Sequence, residues 1–225
     1  MLNISLSFLT LARVFSISPL LSISNIQSLQ STNLDRIQLH RFVSPFFYTN
    51  ANRFTFKLQN SIFTEGTSNA IRADDAIKNQ TFSTRQEYKD NFRLIIDSCT
   101  FQNIKSTEQG GAFCVISDTH VLQLLKTQFI DCSSNGEDYV LESPFKISSG
   151  AFLFTGSKAA VQYCCFSKCY SSGNTKTFHI IVGDEGQVAV KLCYLNQNGQ
   201  KETKDGHSLF SINTGSCQLY SINST

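Results

Sequence analysis

The stretch Gly110-Gly111-Ala112-Phe113 opens a short apolar strand, and a second apolar segment closes on Phe129. A similar pair recurs at Gly150-Ala151-Phe152 and Phe166. Two strand-like segments in each period of roughly 20 to 50 residues are typical of stacked units, none of which can bury its apolar face alone. The sequence therefore predicts an all-β fold, a right-handed parallel β-helix (solenoid) of six or seven coils.

The period follows from the residue that closes the second strand of each coil. These residues are Phe63, Phe101, Phe129, Phe166, Leu195 and Leu219, with spacings of 38, 28, 37, 29 and 24. The two longest intervals contain polar segments, 67–91 and 133–148, which we expect to be loops extruded from the solenoid. The opening strands are predicted at residues 45–48, 70–73, 111–115, 150–154, 178–182 and 208–212.

Small residues occur two positions before each closing residue. They are Ser61, Cys99, Thr127, Cys164, Cys193 and Cys217. Because residues two apart in a strand share a face, we expect a second inward column that stacks beside the Phe and Leu column at a strand spacing of about 4.8 Å. A globular sandwich gives no reason for such a fixed offset.

The chain has eight cysteines, and three interpretations of them stay open. Free thiols packed as small core residues are favoured. Disulfides between adjacent coils are geometrically possible, because stacked Cα atoms fall within the range that a bridge tolerates. A zinc site has the least support: Cys165 and Cys169 are close in sequence and Cys132 is distant, and no Cys-x-x-Cys or His pair completes a tetrahedral set.

The N-terminal segment allows two interpretations. Pro19 and Pro45 lie in matching Ser-Pro contexts, which predicts a degenerate coil at 17–42 and divides the chain into an N-terminal cap or degenerate first coil at 1–43 and the β-helix at 44–225. Within 1–20, the alternation of Ile4, Leu6 and Phe8 favours a strand, whereas the apolar composition also fits a secretory signal. Nothing in the sequence predicts a transmembrane span.

Several motifs support a family resemblance. Gly-Gly-Ala-Phe at 110–113, Ser-Gly-Ala-Phe at 149–152, Phe101-Gln102-Asn103, and the Phe-x-x-Cys pairs Phe129/Cys132 and Phe166/Cys169 resemble the repeats of polymorphic outer-membrane proteins. They are also similar to right-handed parallel β-helix surface proteins of some protists. The resemblance covers about residues 44–222. It implies an elongated extracellular or surface-displayed scaffold, often linked to adhesion, and implies no catalytic residues.

Charge and composition narrow the function classes. The net charge is +2 and the Lys and Arg residues are scattered, so the basic stripe that nucleic acid requires is missing from the sequence pattern. Acidic residues cluster at Asp74-Asp75 and, near one turn, at Asp131, Glu137 and Asp138; these are interpreted as solvated loop carboxylates. His40, His120, His179 and His207 share no spacing that brings two together. We therefore predict no catalytic, cofactor-binding or metal-ligating residue and no cofactor.

These observations favour a non-enzymatic structural or adhesive module located outside the cell or on its surface, whose partner would be a host or cell-surface glycan or protein. The alternatives are a carbohydrate-active or carbohydrate-binding protein on the same fold and an intracellular scaffold. An acidic cluster on an exposed strand face would favour the first alternative, and fully reduced thiols the second. Asn79-Gln80-Thr81 is a glycosylation acceptor on a segment that we expect to be exposed.

Overall fold

The computed structural model describes residues 2–24, 29–51, 53–74, 92–117, 120–135, 149–172, 177–196, 198 and 210–224. Within these ranges the regular structure consists of β-strands, which confirms the all-β prediction. No helix in this part of the chain is long and apolar enough to cross a membrane.

The strands form four rows in which every neighbour is parallel. Row 1 contains β1 (Leu2–Ser7), β4 (Leu29–Asp35), β7 (Thr55–Gln59), β10 (Arg93–Asp97), β14 (Val121–Leu125), the C-terminal parts of β17 (Phe152–Gln162) and β20 (Phe178–Lys191), and β23 (Ser216–Tyr220). Row 2 contains β2 (Thr10–Val14), β5 (Gln38–Phe42), β8 (Ile62–Gly66), β11 (Thr100–Gln102), β15 (Gln128–Ile130), β18 (Cys165–Ser167), β21 (Tyr194–Asn196) and β24 (Asn223–Ser224).

The other two rows are shorter. Row 3 contains β12 (Lys105–Ser106), β16 (Ser133–Ser134) and β19 (Tyr170–Ser171). Row 4 contains β3 (Leu21–Ile23), β6 (Phe47–Thr49), β9 (Ile71–Asp74), β13 (Phe113–Ile116), the N-terminal parts of β17 and β20, and β22 (Ser211–Asn213). Rows 1 and 4 belong to one 13-stranded sheet because β17 and β20 run through both, with a register shift between Gly156 and Lys158.

The core consists of stacked side chains from equivalent positions in neighbouring strands. In row 2, Phe63, Phe101, Phe129 and Phe166 pair in register, and their rings stack at centroid distances of 5.3, 5.2 and 5.1 Å. A second aromatic column in row 4 packs against the first at tilted angles; its members are Phe113, Phe152, Phe178 and Phe210. These contacts confirm that the aromatic residues identified from the sequence share one interior.

A left-handed backbone residue turns the chain from row 1 into row 2. Each of these residues has φ between 45° and 61°: Phe8, Arg36, Asn60, Ser98, Lys126, Tyr163, Leu192 and Ser221. Most amino acids with a Cβ pay a steric cost there, and glycine or asparagine is the usual signal for such a turn. The segment before Phe129 therefore consists of two strands, β14 and β15, with a bend at Lys126 that no glycine or asparagine marks in the sequence.

The glycine turn at 110–111 has a clear physical cause. Gly110 has φ +69, and a Cβ on Gly111 would overlap the carbonyl oxygen of Gly150. The Asn69 side chain donates hydrogen bonds to the carbonyl oxygens of Gln109, Gly110 and Gly111. Small residues are therefore required where this turn approaches the backbone of its neighbour.

The structure corrects the C-terminal end of both predicted columns. Leu195 pairs with Ser224 in row 2, whereas Leu219 pairs with Val190 in row 1. Cys217 lies opposite Val188, also in row 1, and is exposed. The spacing of 24 residues selected a strand of the wrong row, because row 1 and row 2 strands have similar apolar patterns.

The two predicted loops are shorter than their sequence limits. Residues 71–74 at the start of the first segment form β9, and Ser133–Ser134 at the start of the second form β16, which is buried. Residues 75–91 and 136–148 lie outside the described part of the chain. The Ser-Pro context of Pro19 precedes β3, which pairs with β6 after Pro45, so the 26-residue offset corresponds to strand pairing.

We expect Phe129→Ala to destabilise the protein by about 3–5 kcal/mol, because it leaves a cavity between two stacked rings. Phe129 is fully buried, whereas the adjacent Gln128 is exposed. The control Gln128→Ala should change the free energy of unfolding by less than about 0.5 kcal/mol. Urea unfolding measures both, and equal losses would contradict the assigned register.

Candidate functional site

The column of Ser, Thr and Cys lies immediately after the left-handed bends, in a position that needs a small hydrogen-bond donor. The Thr127 hydroxyl donates to the carbonyl oxygen of Leu125 at 2.7 Å, and the Ser61 hydroxyl donates to that of Gln59 at 2.6 Å. The Cys99 thiol makes the equivalent contact to Asp97 at 3.3 Å. These side chains therefore add a second hydrogen bond to the last carbonyl group of a row 1 strand, which also accepts a backbone N–H from the neighbouring coil. This is a structural role.

Two pairs of thiols meet in the core. Cys164 and Cys193 occupy equivalent positions between rows 1 and 2, and Tyr194 N–H donates to the carbonyl oxygen of Cys164 at 2.9 Å, so the two cysteines are neighbours. Tyr170 N–H donates to the carbonyl oxygen of Cys132 at 3.1 Å, so Cys132 adjoins Cys169. This position corrects the sequence-based prediction that Cys132 is distant from Cys169. All four are buried free thiols. Asn198, which the sequence pattern did not identify, accepts a hydrogen bond from Cys169 N–H at 2.8 Å.

Burial controls the protonation of most of these thiols. It raises the pKa of Cys99 to about 12 and raises the pKa values of Cys164 and Cys169 well above the ordinary range. The pKa of Cys193 is lowered, because Cys164 donates a hydrogen bond to its sulfur. Among the described residues, no three His, Cys, Asp or Glu side chains are grouped so that they could hold a metal ion.

The acidic residues selected from the sequence do not meet. Asp74 lies at the end of β9 rather than in a loop, and its carboxylate accepts a hydrogen bond from Arg72 Nε at 2.9 Å. Arg72 also donates to Glu108. Asp131 occupies a left-handed bend, with its N–H donating to Ser167 at 2.8 Å. Asp75, Glu137 and Asp138 lie outside the described residues.

The Arg72 ion pairs neutralise the most enclosed charges of the row 4 outer face. Burial alone would lower the pKa of Arg72, but the hydrogen bond and charge of Asp74 outweigh it and hold this pKa above its ordinary value. A cation held by two carboxylates is suited to fastening β9 to the segment around Glu108. This arrangement supplies no free acid and base pair for catalysis.

The described histidines lie in three separate environments. His40 Nδ1 is 2.8 Å from Thr64 Oγ1 on the row 2 surface, beside the Arg41–Glu65 ion pair. His120 is buried, with its ring 4.7 Å from the ring of Phe92. His179 pairs in register with Leu153 in row 4, and burial lowers its pKa to about 4. His207 lies outside the described part of the chain.

Another candidate site is a groove on the outer face of row 1, which we call the outer groove. It crosses β10, β14, β17, β20 and β23 and has a volume of ≈ 610 Å³, within the ~300–1,000 Å³ that is usual for ligand pockets. Its outward side chains are Arg93, Ile95, Val121, Gln123, Ser157, Lys158, Ala160, Gln187, Ala189, Ser216 and Gln218. None of these is acidic or aromatic.

Strand register orders the outer groove into two lines. One line pairs Arg93 with Val121 and Val121 with Lys158, and continues through Gln187 to Ser216. The other line runs parallel to it and consists of Lys57, Ile95, Gln123, Ala160, Ala189 and Gln218. The sequence pattern does not reveal these lines, because they join strands about 30 residues apart.

A neighbouring hollow shares Gln218 with the outer groove. It has a volume of ≈ 570 Å³ and is lined by Gln162, Tyr163, Lys191, Leu192, Cys217, Gln218, Leu219 and Tyr220. Tyr163 and Tyr220 are exposed by 57% and 65%. This corner of the molecule therefore presents large rings to solvent beside the polar groove.

We expect Thr127→Val to destabilise the protein by about 0.5–1.5 kcal/mol, because the isosteric side chain removes one of the two hydrogen bonds to the Leu125 carbonyl group and leaves only that from Ser98 N–H. The matched control is Thr100→Val on the half-buried face of β11, which should cost under about 0.5 kcal/mol. Chemical unfolding compares the two, and similar losses would argue against a corner-specific role.

We expect stability to fall as pH decreases from about 6.5 to about 4 through His179, because the unfolded chain takes up a proton that the folded protein excludes. The slope should approach about 1.4 kcal/mol per pH unit from this residue. His179→Gln should flatten the profile in this window. Unfolding midpoints across the window provide the test, and a His179→Gln profile parallel to the wild type would contradict it.

Comparisons of the chain with protein families, with curated proteins and with solved structures find no match. The features that bear on function are therefore those of the described residues: the paired rows, the buried thiols, the neutralised Arg72 cluster and the outer groove.

Proposed function

We propose that this chain is a right-handed parallel β-helix that serves as a non-enzymatic structural or adhesive module at the cell surface. In the described part of the chain, rows 1 and 2 each contain eight strands in chain order, and each strand pairs with its row neighbours. This order supports a solenoid of eight coils rather than six or seven, with residues 2–14 forming part of the first coil. Right-handed crossover is the general rule for parallel strands joined in one sheet.

The observation that carries the functional proposal is the open outer face of row 1. Arg93, Gln123, Lys158, Gln187 and Gln218 are all exposed on it. The inner face of the same strands is apolar and buried, as at Leu94, Leu122 and Val188. A rigid sheet that presents an ordered polar face suits binding along its surface, whereas catalysis needs a cluster of reactive groups.

Two other functions remain alternatives, each with its own supporting feature. The groove itself supports a carbohydrate-binding protein, although the neutralised Asp74 gives no support to glycan cleavage. The buried free thiols support an intracellular scaffold, since reducing compartments keep cysteines in this form. Thiol state and cellular location together separate these possibilities.

The test is surface labelling of the protein in its native cells, followed by mass measurement before and after deglycosylation. For a surface module we expect labelling of intact cells and glycan on Asn79, which lies outside the described residues. Asn79→Gln is the matched control and should abolish the mass shift. Thiols counted by alkylation under denaturing conditions should number fewer than eight, with Cys164–Cys193 and Cys132–Cys169 as the bridges, because these pairs are adjacent.

An unlabelled protein with eight free thiols and an unmodified Asn79 would contradict the surface proposal. That outcome would favour the intracellular scaffold. It would also restrict the role of the cysteines to packing and to the carbonyl contacts described above.

A further inference from the structure

Three cations lie together on the outer face of row 1 without a carboxylate partner. Lys57, Arg93 and Lys158 form no ion pair with any acidic group in the described ranges. Two arginines of the other rows are paired: Arg41 lies 2.7 Å from Glu65, and Arg72 lies 2.9 Å from Asp74. The outer face of row 1 thus holds positive charge that the fold leaves available.

The spacing of these cations follows from the strand register. Lys57, Arg93 and Lys158 belong to β7, β10 and β17, within four consecutive strands of row 1. Arg93 and Lys158 are separated by one strand, which carries Val121, so their backbones are about 9.6 Å apart. This separation is close to the length of two linked sugar rings, and a linear chain lying across the strands could present one anion to each cation.

The uncharged lining fits a hydroxyl-rich ligand. Gln123, Gln187 and Gln218 carry amides that both donate and accept hydrogen bonds, and Ser216 adds a hydroxyl group. Ala160 and Ala189 keep the centre of the groove flat. A sugar ring needs this mixture, because its hydroxyl groups point outward around an apolar ring face.

The same lining is a poorer match for nucleic acid. Proteins that bind single strands place aromatic rings beneath successive bases, and none of the described residues that line the outer groove is aromatic. Nucleic acid also carries a phosphate at every nucleotide, whereas the described cations of the groove are widely spaced.

We propose that the outer groove binds a linear acidic polysaccharide in which a carboxylate-bearing sugar alternates with a neutral one. Its carboxylates pair with Arg93 and Lys158, and its hydroxyl groups hydrogen-bond to Gln123, Gln187 and Gln218. Lys57 extends the positive edge beyond the groove. The inference rests on the proposed function, since it names the ligand class for the same exposed face.

The test uses the full chain and an eight-sugar fragment of hyaluronan, which has this alternating charge, in a calorimetric titration at low salt. The double variant Arg93→Gln/Lys158→Gln should weaken binding by at least ~10-fold, because each lost charged hydrogen bond commonly accounts for a factor of that size. The control Lys105→Gln/Lys168→Gln removes the same charge from two exposed positions away from row 1, in β12 and at the bend between β18 and β19, and should stay within ~2-fold.

Neutral dextran should not compete, and single-stranded DNA should compete more weakly than hyaluronan. Equal weakening by both double variants, absence of hyaluronan binding, or tighter binding of DNA would each overturn the proposal. Because the substituted side chains are exposed, unfolding midpoints should stay unchanged and exclude a folding defect.

The two proposals fail separately. A surface-labelled, glycosylated protein that does not bind hyaluronan would retain the proposed function and lose the ligand class. A protein that binds hyaluronan but remains inside the cell with eight free thiols would lose the surface function while the chemistry of the groove holds.

Discussion

In-register pairing between parallel strands is the constraint on which the other features of this protein depend. Phe63, Phe101, Phe129 and Phe166 of row 2 stack on one another because the backbone hydrogen bonds hold them at one strand spacing. The register of row 1 aligns its outward residues into lines in the same way. A shift of a strand by one residue would turn its core side chains toward solvent, so the register decides both which residues are buried and which are exposed.

At the bends between rows 1 and 2, the left-handed residue that carries the steric cost of the turn lies outside the packed interior. Left-handed residues such as Lys126 and Tyr163 remain exposed, and the next residue enters the core. There, Thr127 contacts the preceding carbonyl group with a hydroxyl and Cys164 with a thiol. Serine, threonine and cysteine are exchangeable at this position because each is small and each donates one hydrogen bond. The abundance of cysteine therefore needs no metal to account for it.

Charge is distributed unevenly over the surfaces that the rows create. On the row 4 side, Arg72 is enclosed by Asp74 and Glu108 and contributes to holding the strands together. On the row 1 side, Arg93 and Lys158 face outward among amides and small side chains. The net charge of +2 does not show this difference, because it sums the paired charges around Arg72 with the cations of the outer groove, Arg93 and Lys158. Recognition would consequently depend on which face a partner meets.

The sequence by itself determined the all-β class, the turn at Gly110 and Gly111 and most of the Phe column, because these depend on local conformation and on recurrence at similar intervals. It misplaced Leu219 and Cys217, since apolar alternation is alike in rows 1 and 2 and cannot say to which row a strand belongs. The bend at Lys126 carried no glycine or asparagine signal. Only the tertiary structure brought Arg93 beside Val121 and Lys158, and Cys132 beside Cys169, because the pairing of strands some 30 residues apart decides those contacts.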